Sequence, residues 1–110
     1  MSSQVNGTSI TLTRGDTFLA EVTIYNQDGT EYIPKIGDSV RFAMKTDYYE
    51  TQVLILKNIP IENMLLRLEP EDTKPLPYGT YVYDIQLTTA AGDVSTFISK
   101  AKLKLTEEVE

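Results

Sequence analysis

Glu71–Thr88 reads EDTKPLPYGTYVYDIQLT, and this stretch decides the fold. Its second half alternates: Tyr81, Tyr83, Ile85 and Leu87 fall on one side, Asp84 and Gln86 on the other. That period of two is expected of a strand lying over a core. The first half holds Pro75 and Pro77. Each removes a backbone donor, so this part cannot pair inside a sheet, and a helical turn or crossing loop should lead into the strand.

The same period runs outward in both directions, and helical spacing is scarce. Thr8–Thr13 places Ile10 and Leu12 inward, and Thr17–Tyr25 places Phe18, Ala20, Val22 and Ile24 inward against Glu21 and Thr23. The NQDG at 26–29 is a turn, because Asn, Asp and Gly tolerate left-handed backbone angles. A short piece around Tyr32 and Ile33 stops at Pro34, and Gly37-Asp38 makes a further break. Val40, Phe42 and Met44 form the next inward face, with Arg41 and Lys45 expected to point to water. Residues 53–56 (VLIL) are apolar at every position, which predicts a strand covered on both faces, by its own domain or by a partner. Leu54 and Leu56 are therefore interface candidates. Met64, Leu66 and Leu68 oppose Arg67 and Glu69.

After the turn TAAGD, the last segment begins with Val94, Thr96 and Ile98 in phase and ends with Ala101, Leu103 and Leu105 in the opposite phase. A slip of one residue inverts the faces, so a β-bulge or a change of sheet is expected near Ser99 and Lys100. Lys100, Lys102 and Lys104 share the outer face of that strand, a pattern that discourages edge-to-edge aggregation. The alternative for this lysine run is contact with an acidic partner.

A chain of 110 residues predicts a single domain, 1–110, able to bury a core without disulfides or metals. The N-terminus and the acidic tail TEEVE are expected to fray. The formal charge of −6 disfavours nucleic acid, whose phosphates need a basic surface. No apolar run is long enough for a bilayer span, and the start MSSQVNGTSI lacks the pattern of an export signal.

About seven strands with turns at this spacing predict an all-β fold, an immunoglobulin-like antiparallel β-sandwich. Such sandwiches place a tyrosine near the start of strand F, two residues before a core position, with its hydroxyl bonded to backbone upstream. YGTYVYD fits that corner: Gly79 precedes Tyr81 by two residues, and Tyr83 takes the core position. A buried tyrosine hydroxyl needs a partner, and a carbonyl in the 71–78 segment is the expected one.

Chemistry is harder to find. With no histidine and no cysteine, His-based acid–base catalysis, Ser-His-Asp triads, thiol nucleophiles and His or Cys metal sites are excluded. The acidic residues form no recognised motif, so no enzyme activity and no cofactor are expected. NQDGTE lacks the spaced ligands of a calcium hand and reads as a hairpin turn. Arg14-Gly15-Asp16 is the tripeptide of integrin ligands, but Gly-Asp between two strands is explained as a turn.

The ordered set ITLTRGDTFLAEVTI, NQDGTEY, GDSVRFAMK, LEPEDTKPLPYGTYVYDIQLT and GDVSTFISKAKLKLTEEV resembles small virion proteins of tailed phages and prophages of Gram-positive bacteria. It is similar to the immunoglobulin-like N-terminal domain of phage baseplate upper proteins. The resemblance implies a non-enzymatic tail, baseplate or capsid-associated protein, made in the host bacterial cytoplasm and carried in the virion. Its implied partners are other virion proteins; the 53–56 run adds a second copy of the chain as a candidate, and neither nucleic acid nor membrane is expected. The alternative is a host-surface glycan or protein binder that uses the loop tyrosines Tyr48, Tyr49 and Tyr78.

Overall fold

The computed structural model describes residues 4–6, 9–26, 28–47 and 49–107. The fold is mostly β. In chain order the strands are β1 (Gln4–Asn6), β2 (Ser9–Thr13), β3 (Phe18–Glu21), β4 (Ile24–Tyr25) and β5 (Glu31–Tyr32). Then follow β6 (Ser39–Lys45), β7 (Ile55–Ile59) and β8 (Leu65–Leu68), one helical turn α1 (Pro70–Thr73), β9 (Gly79–Thr88) and β10 (Val94–Thr106). Against the expected seven strands there are ten, of which β1, β4 and β5 are only two or three residues long.

Six strands form one sheet in the order β1-β2-β10-β9-β6-β7. Its neighbours are antiparallel except β2 and β10, which run parallel with Leu103 opposite Ile10. The expectation of a purely antiparallel fold is corrected here. A parallel pair cannot be joined by a hairpin, and here most of the domain serves as the crossover. The β3–β8 and β4–β5 ladders are separate.

The inward faces of β2, β6, β9 and the end of β10 meet those of β3 and β8 in one core. Leu12, Phe18, Val40, Phe42, Met44 and Leu103 are fully or almost fully buried there. The Phe42 and Tyr83 rings pack with centroids 5.2 Å apart at 34°, within the range favourable for aromatic pairs. At the β7 edge, Lys57 reaches to 2.9 Å from the Asp72 carboxylate, tying β7 to α1. The same carboxylate accepts the Glu69 N–H at 2.7 Å and so braces the first turn of α1, where Pro70 costs no hydrogen bond.

Several expectations are corrected. Thr17–Tyr25 is not one strand, because β3 loses its partner where β8 begins, and Ile24–Tyr25 turns to pair with β5 instead. Within its own domain the 53–56 run is not covered at every position: Ile55 is buried and Leu54 packs half-buried against the core, while Val53 and Leu56 are exposed. Arg41 is half-buried and hydrogen-bonded to Gln86 across the sheet, and Lys45 is also half-buried, so neither simply points to water. The irregularity expected near Ser99 and Lys100 is present, as a slip of β10 between Ile98 and Ala101, but a second slip falls between Thr96 and Ile98. Val94 and Thr96 therefore pair with the outward Thr88 and Gln86, and Val94 is exposed.

The lysine strand is no edge, since β10 lies between β2 and β9. Lys102 and Lys104 are exposed on its face, and the Lys100 side chain lies outside the described residues. At the N-terminus, residues 4–6 pair with β2 in place of the expected fraying, while residues 1–3 and 108–110 lie outside the described residues.

Candidate interaction surfaces

The segment between α1 and β9 forms the corner. Gly79 starts β9 with φ of 147°, a conformation that favours glycine. Two residues on, the buried Tyr81 hydroxyl donates to the Pro77 carbonyl at 2.6 Å, and burial raises its pKa. Tyr83 is buried in the core, which pushes its pKa up to about 12. A group so placed stays neutral at ordinary pH and is structural.

The Arg14-Gly15-Asp16 turn is held against this corner. Gly15 takes φ of 87°, and its N–H donates to the Thr73 hydroxyl at 2.8 Å. Thr73 is the one fully buried polar side chain among the described residues. Arg14 donates to the Leu76 carbonyl at 3.3 Å and lies 4.5 Å over the Tyr78 ring. Arg14, Gly15 and Asp16 are all half-buried, unlike a tripeptide displayed at a loop tip. Thr73 was not singled out by sequence reasoning, and Arg14 was marked only as part of the Arg14-Gly15-Asp16 tripeptide, since their partners lie about 60 residues away and no local pattern shows them.

The loop tyrosines are not brought together in one site. Tyr49 is 87% exposed, with its N–H donating to Asp47 at 3.2 Å. Tyr78 borders a groove of about 330 Å³ shared with Thr46, Leu54, Leu76 and Tyr81, which Tyr49 does not line. Arg14 occupies one face of the Tyr78 ring. Tyr48 lies outside the described residues. The interface pair also divides: Leu54 packs against the core and lines that groove, while Leu56 is 60% exposed on the outer face of β7, opposite Ala43.

A second groove, of about 620 Å³, opens between the β3–β5 region and the β7–β8 turn. Val22, Ile61 and Met64 contribute apolar floor, and the exposed Glu21, Glu31 and Glu62 stand around it. Met64 holds a left-handed φ of 52° there and accepts the Val22 N–H at 2.8 Å. The Tyr32 hydroxyl, on the same wall, donates to Asp38 at 2.5 Å, which lowers the Asp38 pKa and raises that of Tyr32. These glutamates are far apart in sequence and belong to no motif, so only the fold groups them.

Within NQDGTE, in which Gln27 lies outside the described residues, Asn26 and Thr30 close the turn between the paired strands β4 and β5. Asp28 accepts the Thr30 hydroxyl at 2.6 Å and the Thr30 N–H at 3.0 Å, bonds that lower its pKa. Among the described residues, no group of three or more His, Cys, Asp or Glu could hold a metal ion, and no helix is long and apolar enough to cross a membrane. Compared with known protein families, curated proteins and solved structures, the chain matches none.

Proposed function

We propose that this chain is an immunoglobulin-like β-sandwich that acts as a non-enzymatic assembly module in the virion of a tailed phage or prophage. The strand order supports the fold: setting aside β1, β4 and β5 leaves β2-β10-β9-β6-β7 in one layer and β3–β8 in the other. The tyrosine at the start of β9, bonded four residues upstream, supports it too. The virion role draws on the resemblance of the corner and its flanking segments to baseplate upper protein domains.

The observation that carries the assembly role is Leu56, a large apolar side chain 60% exposed on an edge strand. One exposed leucine is ordinary. This one, with the exposed Val53 nearby in sequence, lies on a strand whose free edge can pair with another chain. The chain should appear in tailed particles from cultures that carry the gene, by antibody labelling and mass spectrometry. Leu56→Asp should leave the folded chain within about 0.5 kcal/mol of wild type and reduce its incorporation. Particles that lack the wild-type chain, or that take up the variant equally, would refute the role.

The exposure of Tyr49 favours a second reading, a binder of host-surface glycan or protein. Glycan-array binding lost in Tyr49→Ala would support it.

A further inference from the structure

We infer that copies of this chain associate head to tail, the lysine-bearing outer face of one entering the glutamate-rimmed groove of the next. The inference rests on the assembly role proposed above and names one of its partners as a second copy.

The outer face of the six-stranded sheet is basic. Lys102 and Lys104 stand exposed on β10, roughly 7 Å apart along the strand. Val82 pairs with Lys102 on one side and Lys45 on the other, so Lys45 joins the same face two strands away, and Arg41 lies on it as well. Among the described residues Asp84 is the one acid there, although the chain carries a formal charge of −6. A basic face on an acidic protein attracts an acidic surface before contact and orients it on arrival.

The second groove supplies such a surface on the same molecule. Its floor is apolar at Val22, Ile61 and Met64, and its exposed acids are Glu21, Glu31 and Glu62. A lysine has an apolar stem and a cationic tip. Floor and rim match those two ends. The groove opens to solvent, so side chains from a flat sheet face can enter it without a change of fold.

Face and groove belong to different elements, so the contact is not self-complementary. Each copy offers its face to one neighbour and its groove to another, which makes a ring if the rotation closes and a filament if it does not.

The test uses two charge-neutralised chains, Lys102→Gln/Lys104→Gln and Glu31→Gln/Glu62→Gln, each with a wild-type circular dichroism spectrum and denaturation midpoint. Mass is measured by sedimentation velocity and light scattering at low ionic strength. Wild type should grow in mass with concentration and lose that growth in high salt. Each variant alone should be monomeric. Mixed, they retain one intact face and one intact groove between them, so a 1:1 dimer that grows no further is expected. Wild type monomeric to roughly millimolar concentration, a variant that still assembles alone, or a mixture that stays monomeric or grows beyond two would each overturn the inference. Incorporation into particles is read separately, so a monomeric chain found in the virion would reject this contact and leave the assembly role standing.

Discussion

Tyr81→Phe removes one hydroxyl and leaves the ring in the core, so it isolates the hydrogen bond of the corner. The bond is 2.6 Å long, from a buried phenol to the Pro77 carbonyl. An intramolecular hydrogen bond contributes about 0.5–1.5 kcal/mol net, and a stranded buried acceptor raises the loss to about 1–3 kcal/mol. Pro77 is an exposed residue, so water recovers part of its carbonyl. A loss of about 1 kcal/mol is therefore expected. With a urea dependence of about 1–3 kcal/mol per molar, the midpoint should fall by roughly 0.3–1 M, and Tm by about 4 °C. The assay is urea denaturation followed by far-ultraviolet circular dichroism, with Tyr25→Phe as a control at an exposed position. A Tyr81→Phe midpoint indistinguishable from wild type and from the control would refute the corner as a stabilising element.

Thr73→Val keeps the shape of a fully buried side chain and deprives the Gly15 N–H of its acceptor. A loss of about 1–3 kcal/mol is expected, with Thr73→Ser recovering much of it in the same melts. Gly37→Ala should cost about 1–3 kcal/mol, because φ is +99° and the new Cβ would lie 2.7 Å from the Ala90 Cβ; an unchanged melt would argue against this close approach. Tyr83, raised to about 12 by burial, stays protonated in the folded chain above the pH of about 10 where an unfolded tyrosine ionises. Its contribution is fully present below pH 10 and is lost as pH rises toward 12, at no more than about 1.4 kcal/mol per pH unit and less where solvent reaches the hydroxyl. Denaturation midpoints between pH 9 and 11.5 should fall less steeply in Tyr83→Phe than in wild type.

The inward faces were legible wherever a strand kept strict alternation. Tyr81, Tyr83, Ile85 and Leu87 are all buried, as are Val40, Phe42 and Met44. Leu56 was left between two alternatives because an unbroken apolar run is the same whether its second face is covered by its own domain or offered to a partner. Only what packs against β7 in the folded chain decides that. Val94 was placed in phase with Ile98, but one of the two slips of β10 falls between them. A slip is defined by the partner strand, and β9 supplies it. The interaction surfaces were less legible still: the Gly15–Thr73 bond spans 58 residues, and Glu21, Glu31 and Glu62 share a groove without sharing a motif.

Sequence alone determined the absence of histidine and cysteine chemistry, the mostly β character, and a corner at Tyr81 whose acceptor was expected within residues 71–78 and is Pro77. These follow from side-chain identity and from the geometry of a few consecutive residues. Tertiary structure decided the parallel pairing of β2 with β10, the exposure of Leu56, and the gathering of lysines on one face and glutamates around one groove. Each of those depends on contacts between residues distant in the chain, for which an alternating pattern sets the face but not the neighbour.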